Sequence, residues 1–314
     1  MIFDEADDTA WPDDLTWSGS RSWRTAGYDA DWLDSVADDP ATFWLGTHQV
    51  NWAWSGVAMG PLFLSARRLA GRVSAFPRAE VPVAIDSGGF TEVTMLGGWK
   101  TSPQDYVALV RRASRELGTV AWAAIQDWMC EDVALQATGL QISDHQRLTV
   151  ESYQTLVDLA PEVRWLPVVQ GQTVDDYLRC IELYDRCGVD LRAHQMVGLG
   201  SVCRRQAAAE IRTIVGELAG RGLRLHGFGV KALGLAAIGD LLCSADSLAW
   251  SYNGRLLTRE HGQRDSQGRG LANSPEHAEK FRDRMLELIR EALVVLDDAG
   301  SVVQLCLPFD LPEE

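Results

Sequence analysis

Short apolar runs alternate with helical stretches along most of this chain, and each run ends in a polar or glycine-rich residue. That rhythm constrains the fold more than any other feature. The runs fall at 43–47, 62–65, 81–85, 119–126, 164–169, 194–198, 223–229 and 243–248. Helical patterns at 103–117, 130–159, 174–187, 202–219 and 232–242 lie between or after them, and a last helix is expected over 275–298, with Pro275 in its first turn. Strands that are apolar throughout, rather than alternating, belong to a parallel sheet covered on both faces. Eight of them predict an α/β fold, a (β/α)8 TIM barrel closed on itself; a doubly wound open sheet is the rival. The chain has 314 residues, 46% of them hydrophobic, enough for one such core. Residues 1–40 are rich in Asp, Ser and Trp and lack periodicity, so they read as an N-terminal extension, with the barrel domain over 41–314. The polar, Gly- and Arg-rich stretch 254–273 is expected to be a mobile loop.

Polar residues gather just past the strands. His48 comes after the first, Asp86-Ser87-Gly88-Gly89 after the third, Asp127 after the fourth and Gln170-Gly171 after the fifth. Gly198-Leu199-Gly200-Ser201 comes at the end of the sixth, Gly229 and Lys231 at the end of the seventh, and Asp246-Ser247 in the eighth. In a barrel all of these positions open on the C-terminal face, where active sites sit. Three carboxylates therefore converge: Asp86, Asp127 and Asp246. One Asp at a strand end is well explained as a helix cap; three at one face are better explained by chemistry. There is no GxSxG elbow and no P-loop, and Gly198-Leu199-Gly200 alone is a weak glycine signal. Carboxylates without other partners suit glycosidic-bond work, in which one attacks or stabilises an anomeric carbon and another handles the leaving-group proton.

Charge and cysteine usage narrow the class. A net charge of −15 argues against a protein that coats nucleic acid non-specifically, but allows one local basic groove. Lys100, Lys231 and Lys280 are the only lysines, so arginine carries the positive charge. Arg67-Arg68, Arg204-Arg205 and the series Arg255, Arg259, Arg264, Arg269 are candidate phosphate contacts, against the plainer reading of solvated surface side chains. Lys231 is within reach of the same role. Trp52, Trp54 and Trp99 read as core or interface aromatics. The cysteines Cys130, Cys180, Cys187, Cys203, Cys243 and Cys306 form no CxxC pair and no zinc-spaced cluster with histidine, so buried thiols, no metal and no cofactor are expected. No run approaches the ~20 apolar residues of a membrane span. The acidic N-terminus lacks the basic and apolar regions of a signal peptide, which predicts a cytoplasmic protein.

The string Asp86-Ser87-Gly88-Gly89-Phe90 resembles the signature of tRNA-guanine transglycosylases. The likeness continues in order through Val168-Val169-Gln170-Gly171, Val197-Gly198-Leu199-Gly200, Leu225-His226-Gly227-Phe228-Gly229 and Ser244-Ala245-Asp246-Ser247-Leu248-Ala249-Trp250. Departures are equally clear. The family's cysteine-and-histidine zinc site is missing, Thr91 replaces the usual Gln, and Trp250-Ser251-Tyr252-Asn253 replaces the PTR-type stretch. A smaller branch is more similar at 43–48, 61–69 and 198–205: the DpdA-type enzymes, which insert 7-cyano-7-deazaguanine (preQ0) into DNA.

The resemblance implies a bacterial or phage-encoded guanine transglycosylase, a pentosyltransferase that exchanges bases through a covalent aspartyl-glycosyl intermediate. It implies Asp246 as nucleophile and Asp86 as general acid/base. Asp127 would accept from N1–H and the 2-amino group of guanine, with Gln170 on the O6 edge and the backbone of Gly198, Leu199 and Gly200 adding contacts. Ser87, Gly88 and Gly89 would let the backbone approach the base. Phe90 would stack on a flipped base, Phe228 would form the opposite wall, and His48 and Ser65 would line the site. Expected partners are DNA (or tRNA), a 7-deazaguanine base, a helper protein that opens the duplex, and a second copy in a homodimer; no membrane is expected. Exchange on tRNA, a simple N-glycoside hydrolase and a non-catalytic subunit are the alternatives.

Overall fold

The computed structural model of the protein describes residues 42–57, 60–201 and 208–299. The expected extension, together with Cys203, Arg204, Arg205 and Cys306, lies outside the described residues. The strands are β1 (Thr42–Thr47), β2 (Leu62–Ser65), β3 (Val83–Asp86), β4 (Val120–Ala124), β5 (Trp165–Leu166), β6 (Val168–Val169), β7 (Val197–Leu199), β8 (Leu225–Gly227) and β9 (Ser244–Ser247). They form one parallel sheet in the order β5-β4-β3-β2-β1-β9-β8-β7-β6.

The two sheet ends are halves of one strand. Pro167 sits between β5 and β6 and has no N–H to donate, so the ladder is interrupted there. β5 pairs with β4, β6 pairs with β7, and the Pro167 carbonyl accepts from Gly198 N at 2.7 Å. The sheet thereby closes into a (β/α)8 barrel, and the open-sheet rival falls away.

Period-2 alternation sorts the strand residues. Phe43, Leu45, Leu62, Leu64, Val83 and Ile85 join the large core shared with the helices. Trp44, Phe63, Ala84, Trp122, Ala124 and Leu166 form a separate cluster inside the barrel. Aromatic rings fill that interior: Trp44 meets Trp122 edge-on at 5.4 Å, and Phe63 lies 5.2 Å from Trp122. The same alternation turns Asp86 inward, two residues after Ala84, and turns Ser244 and Asp246 inward on β9.

The helices depart from expectation in three places. The helix expected over 130–159 is two, Asp132–Thr138 and Ile142–Leu159, because Gly139 ends the first with φ +70°. A helix Gly89–Leu96 starts inside the aspartate motif, where paired glycines concealed it. The stretch expected as a loop at 254–273 is instead largely ordered: the helix Ala249–His261 is followed by a short turn, Leu271–Asn273. Tertiary contacts make that helix. Trp250 is buried, stacks on Trp52 at 5.5 Å and donates Nε1–H to Gly46 O at 2.8 Å. A Cβ on Gly254 would come within 2.6 Å of the Leu271 backbone, so glycine permits that close approach.

Candidate active site

Asp86 is the last residue of β3, in register with Ser65 of β2. Its Oδ1 accepts from Gly88 N at 3.2 Å, and the Ser65 hydroxyl also bonds it. Gly88 holds φ +83°, and a Cβ there would lie 2.9 Å from Arg67 Cγ, so the tight turn under Asp86 requires glycine. Burial raises the Asp86 carboxyl to about 6; the Gly88 N–H opposes this and the Asp246 charge adds to it. Ser87 is buried behind it.

Asp127 stands just past β4. Burial, then the charge of Asp86, lifts its carboxyl to about 7, while the bond from Gln170 opposes the rise. Gln170 Nε2 donates to Asp127 Oδ2 at 2.5 Å, and Gln170 Oε1 accepts from Ser201 Oγ at 2.6 Å. Ser201 Oγ in turn accepts from Cys130 N at 2.7 Å. The amide plane lies against Gly200, where a Cβ would be 2.2 Å from Gln170 Nε2. The Gln170 side chain is thus fixed in one orientation with its N–H group toward Asp127. Beneath the acids, buried Tyr106 donates its hydroxyl to Ala124 O at 2.6 Å, and burial followed by the charges of Asp86 and Asp127 pushes its phenol well up.

Asp246 is the third residue of β9 and only 5% exposed. Its Oδ1 accepts from Gly229 N at 3.0 Å. The structure therefore brings Asp86, Asp127, Gln170 and Asp246 to one end of the barrel. Leu199 faces the outer core, and Gly198 gives room to Phe228, whose ring a Cβ would meet at 2.5 Å. Phe228 is half-buried in the barrel interior, stacked on Phe63 at 6.1 Å. Phe90 is 42% exposed, at the start of the helix Gly89–Leu96. Trp99 donates Nε1–H to Asp127 O at 3.2 Å, and a Cβ on Gly89 would press on its ring at 2.9 Å.

His48 is half-buried at the end of β1, and burial, then the charges of Arg68 and Arg255, lower its imidazole. Those charges mark a basic side of the mouth. A cavity of about 550 Å³ lies along the helix Ala249–His261, lined by Arg255, Thr258, Arg259, Arg269 and Asn273 and apart from the three acids. Lys231 is exposed as the N-cap of the helix Ala232–Ile238. Among the described residues no group of three His, Cys, Asp or Glu side chains is placed to hold a metal ion, and no helix is long and apolar enough to cross a membrane.

Sequence reasoning missed Tyr106 and His226 as parts of the site, and set Ser201 at the C-terminal face without its role as the clamp on Gln170. Ser201 has φ +58°, rare for a non-glycine residue, and only a backbone reveals it. Tyr106 lies in a helix with ordinary amphipathic spacing. His226 stands within a motif already noted, but its neighbour across the sheet is not written in the chain order.

A parallel (β/α)8 barrel with three interacting carboxylates at its C-terminal end defines the class: a TIM-barrel protein with a buried acidic cluster at its mouth. The sequence matches the DpdA family, DeoxyPurine in DNA protein A, over residues 40–298, and the chain belongs to that family. No curated protein matches it. Among solved structures it is similar to a Coccidioides immitis chain described as a fructose-1,6-biphosphate aldolase, with 11% identity, 86% of this chain and 94% of that one covered and a TM-score of 0.44. It is also similar to the Amycolatopsis orientalis BexX/CysO complex, with 12% identity, 87% and 94% covered and a TM-score of 0.40. The Escherichia coli K12 YdjI aldolase is a further likeness, with 13% identity, 88% and 97% covered and a TM-score of 0.36. Likenesses at these values carry no argument about activity.

Proposed function

We propose that this protein is a DNA-guanine transglycosylase that replaces guanine with a 7-deazaguanine, preQ0 being the expected base, through a covalent bond to Asp246. The observation that carries the reading is the set of three acids at one barrel mouth, two with raised carboxyl pKa, in a chain of the DpdA family. Asp246 attacks C1′ of the nucleotide, the C1′–N9 bond breaks, and its electron pair leaves with the base. Asp86, which still holds its proton near pH 6, donates that proton to the departing guanine. The incoming base then gives a proton back to Asp86 and attacks C1′, and the bond to Asp246 breaks. Two inversions retain configuration and both carboxyls return to their starting state.

Asp127 and Gln170 read the base. When ionised, Asp127 accepts from N1–H and the 2-amino group, a pair that adenine does not present. The clamped Gln170 amide offers its remaining N–H toward a carbonyl such as O6. Phe90 stacks on the extruded base, because a duplex base reaches such a pocket only by leaving its stack. The arginine-lined cavity along the helix Ala249–His261 receives the neighbouring phosphates.

Two outcomes are expected here. Asp86→Asn lowers the rate of the glycosidic step by about 10²–10⁴-fold, read from single-turnover release of labelled guanine. Arg255→Ala and Arg259→Ala each weaken DNA binding at all sequences and reduce the slope of log affinity against log salt by about one. A salt titration of fluorescent DNA checks this; an unchanged slope removes these side chains from the phosphate path.

The test of the function is incorporation of labelled guanine or preQ0 into duplex DNA, single-stranded DNA and bulk tRNA, alongside Asp246→Ala. Label entering DNA and lost in the variant is the expected result. Label in tRNA alone keeps the mechanism and changes the substrate. Abasic sites without incorporation make the protein an N-glycoside hydrolase.

A further inference from the structure

His226 is a fully buried polar ring on β8, in otherwise apolar surroundings. It stands in an aromatic cage, with Trp122 at 4.9 Å, Phe228 at 4.8 Å and Phe63 at 6.1 Å, all edge-on or tilted. Those rings offer its two nitrogens no strong partner, and buried nitrogens need one. One nitrogen has a partner on the neighbouring strand. β8 and β9 pair with His226 opposite Ser244, and Nδ1 lies 2.6 Å from Ser244 Oγ. The other, Nε2, makes no aligned hydrogen bond, yet it lies 3.4 Å from Asp246 Oδ1.

We propose that His226 is a positioning residue for the nucleophile, which with Gly229 N–H pins Oδ1 of Asp246 and so leaves Oδ2 as the attacking oxygen. This inference rests on the proposed function. Ser244 and Asp246 are two residues apart on β9 and both face inward, so a single ring from β8 spans them. Ser244 Oγ is also 2.9 Å from Met196 Sδ. The thioether is a weak acceptor for that hydroxyl proton, while the ionised Asp246 carboxylate beside Nε2 can only accept, so the favoured arrangement points the hydroxyl proton at Nδ1. That leaves the ring proton on Nε2, directed at Asp246.

The order of bond changes gives this contact its role. Oδ2 forms the bond to C1′ as the C1′–N9 pair departs with the base, and Oδ1 becomes the carbonyl oxygen of the ester. When the second base attacks C1′, the C1′–Oδ2 pair returns to the carboxylate. Charge then spreads back onto Oδ1, where the Gly229 and His226 N–H groups receive it. Donors fixed in advance at the site of developing charge lower the barrier without rearranging. A catalytic hydrogen bond that is long in the free enzyme tightens as the substrate docks.

The experiment compares His226→Leu, which keeps volume without a donor, with His226→Gln, which keeps a terminal N–H. Asp246→Ala serves as control and melting temperature reports the fold. Histidine ¹⁵N spectra of the wild type and Asp246→Asn are recorded in parallel. The expected result is a kcat about 10²-fold lower in His226→Leu, with KM little changed and most of the rate restored in His226→Gln. A folded His226→Leu that exchanges like the wild type, or a His226→Gln that melts like the wild type but is as slow as His226→Leu, overturns the inference. If the wild type exchanges no base on any nucleic acid, the proposed function fails and the spectra decide this inference alone. A buried ring proton on Nε2 whose shift changes in Asp246→Asn supports it; a proton on Nδ1, or no response to Asp246→Asn, rejects it.

Discussion

Asp246→Ala is expected to abolish base exchange, by on the order of 10⁴-fold or more, while the barrel still folds. The side chain is almost fully enclosed, yet of its two oxygens only Oδ1 accepts a hydrogen bond within the described residues. The substitution frees the Gly229 N–H at the edge of the mouth and takes from the buried His226 Nε2 the carboxylate 3.4 Å away, a local cost that leaves the barrel core intact. Loss of the carboxylate removes the group that forms the glycosyl ester, so no protein–DNA adduct should survive on a denaturing gel. Asp246→Asn is the sharper comparison, since it keeps the shape and removes the nucleophile; it too should give no adduct. A second effect comes from the coupling between the acids. The Asp246 charge helps hold the Asp86 proton, so in either variant the Asp86 carboxyl should titrate below its wild-type value of about 6. Carboxylate resonances of Asp86 recorded against pH read that shift. Retention of full exchange in Asp246→Ala would move the nucleophile to another carboxylate.

Asp127→Asn is expected to stabilise the fold above neutral pH and to cost guanine exchange about 10²–10⁴-fold in kcat/KM. The sign of the stability effect comes from the raised carboxyl. Asp127 titrates at about 7 in the folded chain, against 3.8 for the ordinary group, so the folded state binds a proton that the unfolded chain has released. Its contribution is complete below the ordinary value and is lost as pH rises through about 7. The wild type should accordingly lose melting temperature from about pH 4 to about 7, with Asp86 adding to the slope up to about 6. An asparagine has no charge to desolvate, so the slope should flatten and the variant should melt on the order of 2–4 °C higher at pH 8. Activity moves the other way. The amide presents one acceptor where the carboxylate offered two, so either N1–H or the 2-amino group goes unbonded. A gain in stability paired with a loss of function is the mark of a group kept for binding rather than folding. Thermal melts across pH, with kcat/KM for guanine release, decide the matter. A variant less stable than the wild type at pH 8 would refute the assignment of a desolvated acid.

The basic side of the mouth shows how composition can mislead. Arg255, Arg259 and Arg269 lie in a stretch whose Gly and polar content reads as loop, yet the helix Ala249–His261 fixes two of them. Helix formation there depends on Trp250 reaching Gly46, 204 residues away, and on Gly254 meeting the turn at Leu271. No local pattern encodes either contact.

The sequence by itself determined the barrel. Apolar runs of strand length, separated by helical periods, have one economical burial in a closed parallel sheet, and β2 falls at Leu62–Ser65 as the pattern predicts. It also determined where the acids would gather, because residues at strand ends share a face once the sheet is parallel. The tertiary structure alone decided what those residues touch. Ser201 locks Gln170 through a backbone bent to positive φ, and the β8–β9 register sets His226 between Ser244 and Asp246. Cross-strand register is a property of two segments together. A slip of one residue would turn His226 out of the barrel and leave Asp246 without it, and neither strand read alone records which register is taken.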